Sequence, residues 1–282
     1  MTKLLYLECT SGISGDMCAA ALLDAGASEE AVRRALESLP VEGFAVKISR
    51  VKKSGLDVCD FSVVLDAAHE NHDHDMAYLH GHGGASEHGH GHDHGHAHDH
   101  DHGHGAPGGH HRGPAEIARI IDGAAMTDGA KAIAHRMFGF VADAEARAHG
   151  VPVGEVHFHE VGAVDSIADI IAIAVAADDL APDGVVVSDL PCGYGTVRCQ
   201  HGLIPVPAPA TAFIAEAAGL TLSPVDVEGE LVTPTGAAAA AALRTEAALP
   251  ERFSIKAIGM GAGKRAYDTP GILRAMIIEP AE

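Results

Sequence analysis

The chain has 282 residues, with 19 Lys or Arg against 39 Asp or Glu, a formal charge of −20 with His neutral. So acidic a chain argues against a nucleic acid or an anionic membrane surface as partner, because both need basic patches that displace counterions. No apolar run approaches the roughly 18 residues of a membrane span, and the five sparse cysteines, Cys9, Cys18, Cys59, Cys192 and Cys199, do not form a disulfide framework. A reducing cytoplasm is the expected location, and the start of the chain lacks a signal-peptide pattern.

Lys3 to Glu8 predicts a strand, and the loop Cys9-Thr-Ser-Gly-Ile-Ser-Gly-Asp16 leads into a helix carrying Met17, Ala21, Leu22 and Ala25. Ser28, with Glu29 and Glu30 after it, starts a second helix running to about Leu39. Phe44 to Lys52 and Val58 to Leu65 alternate apolar and polar residues, as paired strands do. Residues 66–112 then change composition. Of the 21 histidines, 16 fall between His69 and His111, and His88, His90, His92, His94, His96, His98, His100, His102 and His104 form an alternating run. With almost no apolar mass, this stretch is expected to be a disordered internal loop.

Beyond it, Pro114 to Ile121 and Thr127 to His149 read as helices, the second with Ile133, Met137, Val141 and Ala144 on one stripe. Val156-His-Phe-His-Glu-Val161 reads as extended, followed by an apolar helix from about Ser166 to Leu180 and a β-branched strand from Val185 to Ser188. Pro209 suits the first turn of a helix ending at Ala218, and Thr233-Pro-Thr-Gly236 introduces an alanine helix. Phe253 to Met260 and Ile272 to Ile278 close the chain as strands. Alternating strands and helices predict an α/β fold with a layered mixed sheet. Residues 1–65 and 113–282 are expected to form one globular body, open to division into two lobes.

Several constellations carry chemistry. Alternating imidazoles in an extended chain project to one side, offering overlapping chelate pairs to nickel, copper, zinc or cobalt. His157 and His159 share a strand face, with Glu160 at the turn, Asp165 just before the following helix and Asp169 four residues on, on the same side, a plausible shell for a divalent ion. The plainer reading of part of this set is a capping box formed by Ser166 and Asp169. In the first loop, Gly12 and Gly15 allow close backbone approach to a ligand, Ser14 suits a helix cap, and Asp16 either ligates a cation or caps. His201 sits on a glycine-flanked turn near Cys192 and Cys199, where a soft metal site competes with simple packing of the two thiols. Glu230, Thr233 and Thr235 stand where ligand contact competes with helix capping. Gly259, Gly261 and Gly263, beside Lys264 and Arg265, suit an anionic group.

The combination of Ser11-Gly-Ile-Ser-Gly-Asp-Met17, an internal His-rich loop, His157-Phe-His-Glu-Val-Gly-Ala-Val-Asp-Ser166, His201-Gly-x-x-Pro-Val-Pro-Ala-Pro-Ala210 and Glu230-Leu-Val-Thr-Pro-Thr-Gly236 resembles the LarC family of nickel insertion proteins. The resemblance runs from Lys3 to about Arg274; Glu8 stands where many members have Asp, and Pro270-Gly271 where Pro-Asn is expected. It implies that Ni2+ enters a pyridinium mononucleotide bearing two thiocarboxylates, forming a carbon–nickel bond flanked by two sulfurs, with CTP consumed. It also implies a C-terminal domain holding CTP with Mg2+ or Mn2+, so this chain resembles the N-terminal portion. On this reading the loop histidines collect nickel, and His157, His159 and Asp165 hand it over. Gly12, Ser14, Gly15, His201, Glu230, Thr233 and Thr235 bind the organic cofactor, and Asp16 or Glu160 accepts the ring proton if within about 3 Å. A recipient apo-enzyme and a homo-oligomer are further expected partners. The alternatives are a non-catalytic nickel store or chaperone, and a metal-dependent phosphohydrolase using His157, His159, Asp165 and Asp16.

Overall fold

The structure, a computed structural model, describes residues 2–66, 112–156, 158, 163–199 and 202–281. The His-rich run, His157, His159, Glu160 and His201 lie outside the described residues. The elements are β1 (Leu4–Glu8), α1 (Gly15–Asp24), α2 (Glu29–Glu37), β2 (Phe44–Lys53), β3 (Leu56–Leu65), α3 (Pro114–Gly123), α4 (Asp128–His149) and α5 (Val164–Leu180). There follow β4 (Gly184–Val187), β5 (Leu190–Tyr194), β6 (Thr196–Cys199), β7 (Gly202–Pro205), α6 (Pro209–Ala218), β8 (Leu222–Glu228), α7 (Pro234–Leu243), β9 (Phe253–Ala262) and β10 (Ile272–Pro280). The α/β expectation, with a mixed sheet, is met. No described helix is long and apolar enough to cross a membrane.

The main sheet has the order β2-β3-β9-β10-β1-β4. Two pairings are sequence-local: β2 and β3 form an antiparallel hairpin at one edge, and β9 pairs antiparallel with β10 in the middle. The others are not: β1 lies antiparallel to β10 and parallel to β4, and β3 meets β9 in parallel. Two small sheets stand apart, β5 with β8 in parallel and β6 with β7 as a hairpin. Proline in β5, β7 and β8 and the shortness of β6 leave these strands without a clear sequence signal.

Helix α1 lies on the sheet against β3, β9 and β10, and α5 packs behind it. The middle of helix α5, Ile170 to Ala177, is apolar all round and wholly buried, as a helix segment enclosed on every side must be. Alanine dominates the helix contacts: Ala19 to Ala21 in α1 and Ala237 to Ala240 in α7 are fully buried. Sequence caps hold where the structure tests them. Ser28 accepts from the Ala31 N–H at 3.2 Å, Thr127 from Ala130 at 3.0 Å and Thr233 from Gly236 at 3.1 Å.

Two sequence expectations change here. Helix α5 starts at Val164 with Ala163 as N-cap, so Ser166 lies inside its first turn and the Ser166–Asp169 capping box does not form. A turn of 3-10 helix, Val153–Glu155, precedes the stretch Val156 to Val161 expected to be extended, most of which lies outside the described residues. The glycine run 259–263 also divides. Gly259 and Gly261 lie within β9 and face the α1 backbone, so their bareness serves sheet–helix packing rather than an anion. A Cβ on Gly261 would lie 2.7 Å from the Ala21 nitrogen and 3.0 Å from the Met17 carbonyl carbon, both backbone. Gly261→Ala should therefore cost roughly 2 kcal/mol and lower the melting midpoint by about 6 °C in thermal unfolding followed by circular dichroism.

Candidate functional site

The site begins with one short backbone contact. Ile13, in the loop after β1, pairs with Val232 in an isolated parallel bridge. The Ile13 N–H donates to the Leu231 carbonyl at 3.0 Å, and the Thr233 N–H donates to the Ile13 carbonyl at 3.2 Å. Both bridged side chains are buried, Ile13 completely. Gly12, with φ of 107°, sits over the Leu231 carbonyl, where a side chain would not fit. Its conformational freedom serves this bridge; Gly12 is not in the wall of the adjoining cleft. Thr211 of α6 ties in from below, its hydroxyl donating to the Val232 carbonyl at 3.3 Å.

A cleft of about 160 Å³ opens beside this bridge. Four helices present their amino ends to it: α1 at Gly15, α5 at Asp165, α6 at its N-cap Ala208 and α7 at Pro234. Unsatisfied N–H groups and aligned dipoles make such ends favourable to negative charge. At α1 and α5 the chain supplies that charge itself. Ser14 is the N-cap of α1, yet its hydroxyl donates to Asp16 Oδ1 instead of capping the helix. Asp16 Oδ1 also accepts the Met17 N–H at 2.9 Å. Asp16 is 9% exposed, and its buried Oδ2 has no hydrogen-bond partner.

Asp165 and Asp169, one helical turn apart on α5, line the same cleft, as their spacing predicts. Asp165 Oδ1 accepts the Ser166 N–H at 2.9 Å. The Asp169 carboxyl fills the space over Gly15 where any side chain would have stood. Burial, reinforced by the negative charges of Asp16 and Asp165, pushes Asp169 well above the usual carboxylate range, and Lys264 opposes this in part.

The loop between β9 and β10 supplies another wall, closed by a hydrogen bond from the Gly263 N–H to the Gly271 carbonyl at 2.9 Å. Lys264 pairs with Asp60 of β3, and Arg265 pairs with Glu230 at 2.5 Å, with Glu230 only 6% exposed. Lys53 braces the loop, donating to the Arg265 carbonyl at 3.2 Å. Burial, helped by the charge of Lys264, holds the Lys53 ammonium below its usual pKa. Tyr267, Thr269 and, from β6, Arg198 and Cys199 complete this side.

A model of the family described as "nickel insertion protein" matches residues 5–282. The chain belongs to this nickel insertion protein family. It is 48% identical over 282 residues to the pyridinium-3,5-bisthiocarboxylic acid mononucleotide nickel insertion protein of Alkaliphilus metalliredigens, covering 99% of this chain and 61% of that protein. It is 38% identical to the protein of the same name from Geobacillus kaustophilus (98% and 60% covered) and 33% to that from Staphylococcus saprophyticus (98% and 60%). The chain thus spans about three fifths of the length of these relatives. No solved structure matches it.

Within this family member the sequence motifs meet in one place. Ser14, Gly15, Asp16, Asp165, Glu230, Thr233 and Thr235 all line the cleft. Cys192 and Cys199 do not share a site: Cys199 lines this cleft, whereas Cys192 lines a separate small cavity with Pro207 and Thr211. Lining different cavities, the two thiols fit simple packing rather than a shared soft metal site. Cys9 and Cys59 are buried thiols, pushed by burial up to about 12 and about 11 respectively, which fits the packing role expected of them. Among the described residues no group of three His, Cys, Asp or Glu is placed to hold a metal ion. The ligands expected beside Asp165, namely His157 and His159, lie outside the described residues. Sequence reasoning missed Asp60, Arg198, Tyr267 and Thr269, which come from strands and loops without a recognisable motif. Lys264 and Arg265 were flagged only by the neighbouring glycines.

Asp169 gives a pH test. A carboxyl raised in the folded state contributes most below its unfolded pKa and loses that contribution as pH rises through its folded value. Asp169→Asn should therefore melt much like the parent near pH 4, and increasingly above it as pH rises toward about 8. Melting curves over that range with metal chelated check it; a gap independent of pH would mean an ordinarily ionised Asp169.

Proposed function

We propose that this chain provides the site at which nickel is inserted into a pyridinium-3,5-bisthiocarboxylic acid mononucleotide, the compound named in its relatives. The observation that carries the reading is the buried, unpartnered Oδ2 of Asp16 in a cleft that gathers the family's motifs. In such a site an open carboxylate oxygen asks for a cation or a proton, and the proposed reaction supplies both.

The steps balance without an oxidant. Ni2+ reaches His157, His159 and Asp165 from the imidazole run His88 to His104. It then passes to the two sulfurs of the ligand, which outcompete labile imidazole and carboxylate donors. The ring C–H bond between the sulfurs breaks; its electron pair becomes the carbon–nickel bond and its proton goes to a carboxylate. Asp16, through Oδ2, and Glu160 are the two candidates for that acceptor. Ser14 fixes Asp16 by donating to its other oxygen. The amino ends of α6 and α7 have no acidic residue in their first turn and offer their dipoles to the anionic groups of the mononucleotide. The Thr233 hydroxyl caps its own helix, so Thr235 is the better placed of the two for ligand contact. CTP and its Mg2+ or Mn2+ belong, on this reading, with the portion of the relatives that this chain does not span.

Asp16→Asn should lower insertion by about 100-fold or more while leaving ligand affinity within about threefold. The assay joins the chain with the C-terminal portion and follows nickel incorporation by mass. Unchanged turnover in both Asp16→Asn and Glu160→Gln would remove the carboxylate role. A second reading, a non-catalytic nickel store, is favoured by the density of imidazoles alone. Deleting residues 69–111 separates the two: an inserter keeps its rate when nickel is plentiful and slows only when nickel is scarce, whereas a store loses its nickel capacity and shows no insertion in either form.

A further inference from the structure

Tyr267 is held as a flat surface in the cleft wall. Part of its ring lies over Gly229, where a Cβ would stand 2.8 Å from ring carbons, so only glycine leaves room for it. Its other end lies beside Arg265 and Glu230, whose charges reach the phenol. Arg265 and Glu230 are themselves joined at 2.5 Å and largely enclosed. The ring thus sits between Gly229 and this ion pair while it lines the cleft. Phe61, the other aromatic residue in that wall, is 0% exposed and offers no surface. Two residues beyond Tyr267, the Thr269 hydroxyl is buried at the same wall without a partner.

An aromatic face with an orphan hydroxyl on the same wall fits a flat, cationic ring bearing an anionic substituent. The ring face is electron-rich and attracts cations, and the hydroxyl needs an acceptor. We propose that Tyr267 is the platform on which the positively charged ring of the ligand stacks, with Thr269 donating to an anionic group on that ring. This deepens the nickel-insertion reading and rests on it for the identity of the ring. It adds a recognition role for residues outside the family motifs.

The test uses the intact chain and two probes, nicotinic acid mononucleotide and its 1,4-dihydro form, which keeps ribose, phosphate and carboxylate but loses ring charge and aromaticity. By calorimetry the parent chain should bind the charged ring about 5- to 30-fold more tightly than the dihydro ring. Tyr267→Leu should abolish that ratio, Tyr267→Phe should keep it, and Thr269→Val should weaken both probes alike. The chain has no Trp, so tyrosine emission gives a second readout that does not depend on Tyr267→Leu folding. The charged probe should quench emission in the parent and leave the residual emission of Tyr267→Phe unchanged. Absence of binding, absence of discrimination in the parent, or an unchanged ratio in a folded Tyr267→Leu would each overturn the proposal. Discrimination without nickel incorporation would leave it standing and sink the insertion reading instead.

Discussion

The site depends on the bridge between Ile13 and Val232. Each segment taken alone is a short loop leading into a helix, with glycines and hydroxyls that explain themselves as caps. Two backbone hydrogen bonds and a pair of buried side chains lock them in register. Once locked, the amino ends of α1 and α7 must lie side by side, and Asp16 and Thr235 must share a wall. The bridge is possible because Gly12 brings the backbone over the Leu231 carbonyl, and because Gly236 lets the start of α7 press against Ile13.

Around that fixed point the charges are unevenly satisfied. Lys264 and Arg265 are committed to Asp60 and Glu230 within the protein. Asp16 keeps an oxygen without a partner, and Asp169 stands among like charges. Paired cations and unsettled carboxylates in one enclosed space are a costly arrangement for a folded chain with nothing bound, which is why such arrangements cluster where chemistry is done. The helix dipoles lower that cost for Asp16 and Asp165 without removing the repulsion between the acids.

What the sequence made legible follows from range. Elements set by local pattern were readable: the caps at Ser28, Thr127 and Thr233, the β2–β3 hairpin, and the apolar helix α5. The site was half readable, because its glycines, carboxylates and hydroxyls sit in motifs with helix-start chemistry. The rest was hidden by distance along the chain. Nothing local in β9 and β10 says that the loop joining them reaches Glu230, or that Gly259 and Gly261 answer to the shape of α1 rather than to a ligand. The misplaced start of α5 has a similar cause. Ser166 and Asp169 match a capping pattern, but Ala163 is the N-cap, three residues earlier, which turns Ser166 into an ordinary first-turn residue.

The alanine-lined helix contacts have a consequence of their own. Where α1 and α7 meet their neighbours through methyl groups, little volume can be trimmed away by any replacement. Interiors of this kind resist shrinking mutations better than leucine-filled ones and resist enlarging ones worse. Any drift in such a protein should be asymmetric: its interior can lose methyl groups at modest expense, while a single added ethyl would pry apart the scaffold that aims four helix ends at one spot.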